Sequence, residues 1–140
     1  MPQLQITESF VASVEDLYAA WTKLEAIRRW FAPGEMRVSE AVADVRVGGR
    51  YRIVMQEPNS GPLHIVGGEY TEVVENTCLA FTWQWEGSPA LTNVRLEFHA
   101  KGKGASELVL THAGFGGDEA RDKHGQGWAG CLANLKKIFP

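Results

Sequence analysis

Histidine side chains suit proton transfer near neutral pH, and of the four in this chain one stands out by its position. His112 follows Leu108 and Leu110 on one face of a predicted strand, so its side chain points inward with theirs. There the imidazole could donate or accept a proton. The alternative is a core histidine bonded to a backbone carbonyl. That interpretation is favoured, because no Asp or Glu lies at a spacing that would orient the ring.

The other histidines carry weaker signals. His124 precedes Trp128 by one helical turn and is expected either at the mouth of a pocket or as a partly exposed helix residue. His64 and His99 have the pattern of ordinary strand residues. His124 and Cys131 share a helix face, but ~10 Å separates them along the axis, too far for one zinc ion. No metal site is predicted.

Motifs for a nucleophile or a nucleotide are missing or misplaced. The G-x-S-x-G of a nucleophile elbow does not occur, and no Ser or Cys has a local signature of activation. Gly125, Gly127 and Gly130 spell G-x-G-x-x-G, but inside a predicted helix rather than after a strand, so no cofactor is expected. Each interior glycine destabilises a helix by up to ~1 kcal/mol relative to Ala. The three therefore suggest a late helix start or a kink near Gly125, with close approach to the sheet or a hinge over a pocket entrance as the reason.

The elements that must position these residues follow from hydrophobic periodicity. A first strand is indicated by apolar residues spaced for one face, namely Leu4, Ile6 and Phe10. The charged Glu8 interrupts that face. Ser13 caps a short helix, and a second short helix carries Trp30 and Phe31 before a Pro-Gly pair ends it.

The rest of the chain divides into strands and one helix. From Met36 to Ala113 the period falls from about 3.6 to about 2, with turn-forming residues at intervals, which predicts six further strands in an antiparallel meander. The segment from Asp118 to Phe139 returns to the helical period and predicts a long amphipathic helix. We therefore expect an α+β protein with a curved seven-stranded antiparallel sheet and one long helix to cover its apolar face.

Length and charge exclude several classes of protein. A chain of 140 residues, 44% hydrophobic, is the size of one domain (residues 1–140) and can bury a core without disulfides. Its 14 Lys and Arg against 17 Asp and Glu argue against a nucleic-acid partner. No apolar run reaches the ~18 residues of a membrane span and no signal peptide is evident, so we expect no membrane partner and a cytoplasmic location. Cys78 and Cys131 are expected to be reduced core thiols.

Large aromatic side chains dominate the sheet face that the helix must cover, so a gap between helix and sheet is expected. The predicted lining of this pocket is Tyr51, Ile53, Met55, Tyr70, Phe81, Trp83, Trp85, Phe98, Leu110, His112, His124, Trp128 and Leu132. The alternative is that these side chains simply fill the core, as aromatic stripes usually do. A cavity of ~300 Å³ or more would favour a pocket.

Seven short segments, in this order, resemble one known family. They are Ala20-Trp21-Thr22, Arg29-Trp30-Phe31, Val47-Gly48-Gly49-Arg50-Tyr51, Gly68-Glu69-Tyr70-Thr71-Glu72-Val73, Leu79-Ala80-Phe81-Thr82-Trp83, Leu110-Thr111-His112-Ala113-Gly114-Phe115 and His124-Gly125-Gln126-Gly127-Trp128. From about Ile6 to Ile138 the chain resembles bacterial homologues of the C-terminal domain of the activator of heat-shock protein 90 ATPase, in the START-like (SRPBCC, birch-pollen-allergen-like) superfamily. The resemblance implies the helix-grip fold, in which the sheet wraps around the C-terminal helix, two short helices follow the first strand, and a hydrophobic cavity is enclosed.

Three functions remain open. The first is binding of a small hydrophobic or amphiphilic ligand, lipid-like or polyketide-like, as a carrier or sensor. The second is a cyclase, dehydratase or hydrolase in which His112 is the general acid or base and Tyr70 or Glu72 orients the substrate; we lean against an enzyme, because one histidine is its only support. The third is an interaction module, such as a homodimer, that uses strand edges or the helix of Trp30 and Phe31. The chaperone activator also carries a separate N-terminal domain that these residues lack, so we do not expect co-chaperone activity.

Overall fold

The computed structural model describes residues 2–139, which form seven strands and three helices. In chain order they are β1 (Gln3–Phe10), α1 (Val14–Thr22), α2 (Leu24–Trp30), β2 (Arg37–Ala43), β3 (Arg50–Gln56), β4 (Leu63–Val74), β5 (Cys78–Trp85), β6 (Thr92–Ala100), β7 (Ser106–Ala113) and α3 (Asp118–Ile138). The strands form one antiparallel sheet in the order β1-β7-β6-β5-β4-β3-β2. The predicted α+β fold, with its meander and long C-terminal helix, is confirmed.

The charged residue on the inner face of β1 has a partner on α3. Leu4 and Ile6 are half-buried against the core, as the strand pattern predicts. Glu8 lies on the same face, and its carboxylate accepts a hydrogen bond from the ammonium of Lys136 at 2.7 Å. Because β1 is an edge strand, a half-buried charge at this position can be paired without entering the core.

The two short helices begin and end close to the predicted positions. The Ser13 hydroxyl accepts a hydrogen bond from the backbone N–H of Asp16 at 3.1 Å and caps α1. α2 ends at Trp30, whose indole N–H donates to the carbonyl of Ala20 at 2.8 Å, and Phe31 already lies outside the helix. Both Trp30 and Phe31 are buried. Neither side chain is therefore available for the partner contact that the third functional alternative assigns to this helix.

Most of the inner face of the sheet is closely packed. Alternate residues of β6 and β7, namely Val94, Leu96, Phe98, Leu108 and Leu110, are at most 4% exposed. Cys78 and Cys131 are buried and unpaired, as predicted for core thiols. The sheet and α3 thus enclose a filled core over most of their contact.

No helix among residues 2–139 combines the length and the apolarity needed to cross a membrane.

A local irregularity in β4 brings a tyrosine across the sheet. Gly68 lies opposite Tyr51 on β3, just before the point where the pairing of β4 with β5 shifts register. The Tyr51 hydroxyl donates to the carbonyl of Thr82 on β5 at 2.6 Å. A Cβ at Gly68 would lie 2.1 Å from that carbonyl oxygen, so only glycine fits between the two strands.

α3 is a single helix through all three of its central glycines. It begins at Asp118, the residue that the hydrophobic period indicates and ahead of all three glycines, so the alternative of a late helix start is wrong. Close approach explains Gly130, because a Cβ there would lie 2.9 Å from the Cβ of Pro33. The Asn134 side-chain amide also donates to the carbonyl of Ala32 at 2.6 Å. α3 thereby holds the loop between α2 and β2 against its side.

Candidate functional site

A cavity of about 430 Å³ opens where α3 passes over one end of the sheet. Its lining comes from α3, from β3, β4 and β5, and from the loop after α2; the residues are Phe31, Pro33, Met36, Met55, His64, Trp83, Trp85, Lys123, His124, Gly127, Trp128 and Cys131. This volume lies in the range of small-molecule sites. It also exceeds the volume that distinguishes a pocket from a filled core.

The predicted lining residues separate into three groups. Those that line the cavity are Met55, Trp83, Trp85, His124 and Trp128. Those that surround a residual void of only about 20 Å³ beside α1 and α2 are Tyr51, Ile53, Tyr70 and Phe81. The rest, Phe98, Leu110, His112 and Leu132, are buried in the interior and line neither space. The aromatic face is therefore filled at one end and open at the other.

Two further depressions of similar volume lie outside this aromatic face. One, of about 450 Å³, runs between β1 and α3 and is floored by small residues such as Gly125 and Ala129. The other, of about 440 Å³, includes the side chains of Arg50, Arg52 and Glu86. The first has no aromatic ring in its lining, and the second has two, those of Tyr51 and Trp85. The cavity beside Trp83 is therefore the better candidate for a ligand site.

Three tryptophans and a phenylalanine form the aromatic wall. Trp83 packs with its ring centroid 5.1 Å from that of Trp128 and 5.5 Å from that of Trp85. Phe31 completes the wall at 5.8 Å from Trp128. Such tilted and edge-to-face contacts are favourable arrangements for aromatic rings. The wall is consequently a packed unit rather than a set of independent side chains.

His112 fixes the position of one of these rings from behind the wall. The indole N–H of Trp128 donates to its Nδ1 at 3.0 Å. Its Nε2 lies 2.7 Å from the hydroxyl of Thr92, which in turn donates to the carbonyl of Trp83 at 3.2 Å. This pattern requires the neutral tautomer with the proton on Nε2. Burial and the neighbouring His124 ring lower the pKa of His112 from 6.5 to about 3.

His124 holds Trp85 in the same way. The Trp85 indole N–H donates to Nε2 of His124 at 2.9 Å, and Nδ1 of His124 lies 2.7 Å from the backbone carbonyl of Ala120. Nδ1 must therefore be the donor and Nε2 the acceptor. The two imidazole rings lie near each other, with centroids 5.2 Å apart. Trp85 and Trp128 are each anchored by one histidine.

These contacts do not supply an acid or base for catalysis. Both ring nitrogens of His112 are engaged, and its low pKa keeps the ring neutral at physiological pH. Tyr70 lies beside the small void next to α1 and α2. The Glu72 carboxylate forms an ion pair with the guanidinium of Arg95, and both residues lie opposite Ala80 of the strand between them. The arrangement of His112 matches the core histidine of the alternative interpretation, with an indole and a hydroxyl as its partners.

The chemical character of the cavity is apolar with a polar mouth. Burial raises the pKa of the Cys131 thiol to about 12, so this cavity residue is a protonated, unreactive thiol at neutral pH. The indole N–H of Trp83 is buried and has no hydrogen-bond partner among residues 2–139. Within the same range, no cluster of three or more His, Cys, Asp and Glu side chains could hold a metal ion.

The sequence as a whole matches one family model. The model of Activator of Hsp90 ATPase homolog 1-like proteins aligns with residues 11–140. The chain belongs to this family. The family resemblance carried by the seven short segments is thereby confirmed. No curated protein sequence matches this Activator of Hsp90 ATPase homolog 1-like chain significantly.

Solved structures share the fold of this family member over nearly their full lengths. The AHSA1 protein of Silicibacter pomeroyi is 25% identical with a TM-score of 0.86, covering 98% of this chain and 96% of that one. A protein from Chromobacterium violaceum is 21% identical with a TM-score of 0.84, covering 99% and 98%. An HSP90 activator from Plasmodium falciparum is 23% identical with a TM-score of 0.78, covering 99% and 97%.

Part of this Activator of Hsp90 ATPase homolog 1-like protein's cavity lies outside the predicted lining. The additional residues are Phe31, Pro33, Met36, His64, Lys123, Gly127 and Cys131. Helical spacing could have identified Lys123, Gly127 and Cys131, which follow one another at intervals of one turn beside the row of His124 and Trp128. His64 becomes recognisable only through register, because it lies directly opposite Met55 and shares its face. The loop residues carry no such signal.

Proposed function

We propose that this protein binds a small hydrophobic or amphiphilic molecule in the cavity, as a carrier or sensor. The observation that carries the proposal is the wall of packed aromatic rings, Trp83, Trp85, Trp128 and Phe31, along one side of the open 430 Å³ cavity. A cavity of this size with three tryptophans in its wall is the arrangement expected of a ligand site.

The anchoring of the wall also favours ligand binding. The indole N–H groups of Trp85 and Trp128 donate hydrogen bonds to His124 and His112, so these donors are already satisfied within the protein. The rings are held in place before any ligand arrives, which reduces the entropy lost on binding. We therefore expect selectivity for shape and apolar surface along this wall.

The test is a titration with Nile red, a neutral apolar dye, followed by its fluorescence. Gly127 lines the cavity on α3, and a Cβ there would meet nothing within 4 Å. Gly127→Leu should therefore add a side chain at the cavity, with no clash at its Cβ, and weaken dye binding by about tenfold, which corresponds to ~1.4 kcal/mol. Gln126→Leu, at an exposed position of the same helix that lines neither the cavity nor the two other depressions, is the matched control and should leave binding unchanged.

Two outcomes would contradict the proposal. One is a wild-type protein that binds no dye. The other is equal dye affinity in Gly127→Leu and the wild type, which would place any bound dye elsewhere. Native mass spectrometry of freshly purified protein adds an independent readout, because a stoichiometric small-molecule adduct absent from Gly127→Leu would identify the natural ligand class.

A second candidate function is stimulation of the Hsp90 ATPase. It is favoured by membership of the Activator of Hsp90 ATPase homolog 1-like family and by the fold shared with an HSP90 activator from Plasmodium falciparum. The direct test is the ATPase rate of purified Hsp90 with and without this protein. An unchanged rate at saturating protein would exclude the candidate and leave the ligand proposal as it stands.

A further inference from the structure

The lining of the cavity contains basic side chains but no acidic ones. Among its twelve lining residues, the basic side chains are His64, Lys123 and His124, and none of the twelve is a carboxylate. Both ring nitrogens of His124 already form hydrogen bonds, one with the Trp85 indole and one with the carbonyl of Ala120. Among these basic side chains, Lys123 and His64 therefore remain for a ligand.

Lys123 and His64 each pair with an exposed carboxylate at the protein surface. The Lys123 ammonium lies 3.2 Å from the carboxylate of Glu119, and both side chains are more than two-thirds exposed. His64 lies 2.7 Å from the carboxylate of Glu57, with both side chains more than 40% exposed. Ion pairs in such exposed positions contribute little to stability. A ligand anion could share or replace the surface carboxylate at Lys123 without leaving a buried charge unpaired.

We propose that the ligand is an amphiphilic acid, whose apolar body lies against Trp83 and Trp128 and whose anionic group is bound by Lys123 at the mouth. This inference rests on the proposed function, because it assigns the ligand class of the same cavity. Glu119 and Glu57 remain near the mouth and repel an anion, so the gain from the charge is limited. We expect a preference of several-fold for the acid over a neutral molecule of the same shape.

A matched pair of ligands tests the inference. Decanoate and decanol share one apolar chain and differ in charge at neutral pH, and each is titrated against bound Nile red at low ionic strength. Wild-type protein should bind decanoate about fivefold more tightly than decanol. Lys123→Met should remove this preference, so that the ratio of decanoate to decanol affinity falls from about five to about one. Added salt should reduce the preference in the wild type, since the contact is exposed to solvent.

The control variant removes a similar charge from the same helix. Lys137 is exposed in the last turn of α3 and does not line the cavity, so Lys137→Met should retain the wild-type preference. Equal binding of the two ligands by the wild type, or a preference that survives Lys123→Met, would overturn the inference while leaving the cavity as a ligand site. If Nile red binds and neither decanoate nor decanol displaces it, the acid is not the ligand class. If the dye itself does not bind, the proposed function fails as well.

Discussion

The buried imidazole of His112 predicts a specific dependence of stability on pH. Its pKa is about 3 in the folded protein and 6.5 when the ring is solvated. Between these pH values His112 is protonated in the unfolded chain but not in the native state. The free energy of unfolding therefore falls as the pH falls. Each pH unit in that window costs about 1.4 kcal/mol, and at pH 5 the loss from this one residue is about 2 kcal/mol.

Urea unfolding followed by tryptophan fluorescence at pH 7.5 and pH 5 measures this effect. His112→Gln removes the titrating group and is less stable at pH 7.5, because Trp128 and Thr92 lose partners, at a cost of about 1–3 kcal/mol. At pH 5 the difference from wild type should shrink by about 2 kcal/mol. Leu110→Val alters the same face of β7 without removing a titrating group, so its deficit should be equal at both pH values. A wild-type and His112→Gln difference that does not change with pH would refute the reasoning.

Other predictions follow from α3, from the cap of α1 and from the cavity thiol. Gly130→Ala should destabilise the protein by about 1–3 kcal/mol in thermal unfolding, because its Cβ would lie 2.9 Å from Pro33. The Cβ of Gly127→Ala on the same helix meets nothing within 4 Å, so this variant should be neutral or stabilising by up to ~1 kcal/mol. Equal destabilisation by both variants would show that the contact with Pro33 does not cause the effect of Gly130→Ala. Ser13→Ala should cost ~1 kcal/mol by removing the helix cap, measured by urea unfolding, and a cost near zero would contradict this assignment. Cys131 should react with a thiol reagent only after unfolding, whereas rapid labelling of the native protein would contradict its burial and raised pKa.

The fold was largely predictable because the hydrophobic period changes clearly along the chain. Alternation along β6 and β7 and helical spacing in α3 each matched one element, and the order of these elements leaves few arrangements. The helix start was not predictable from its glycines. At Gly130, contact with Pro33 rather than local propensity determines the residue, and this contact joins segments that lie far apart in sequence.

The candidate site was predictable only in part, because periodicity assigns a face and not a depth. Tyr51 and Met55 share a strand face, yet Tyr51 lines the small void and Met55 lines the cavity. What separates them is where α1 and α2 cover the sheet, which depends on tertiary packing. Likewise, no spacing rule indicates that His112 accepts from Trp128, since β7 and α3 are brought together only by the fold.

The division between a filled and an open end has a consequence for how this site can be tested. Trp83 and Trp128 belong to both the cavity wall and the core, so truncating either removes packing and ligand contact together. Loss of binding in such a variant would not separate the two effects. Gly127 and Lys123 line the same cavity from the helix surface, where substitution alters the space or the charge without removing core atoms. Binding and stability are therefore separable at these two positions on α3, and experiments there report on the ligand site itself.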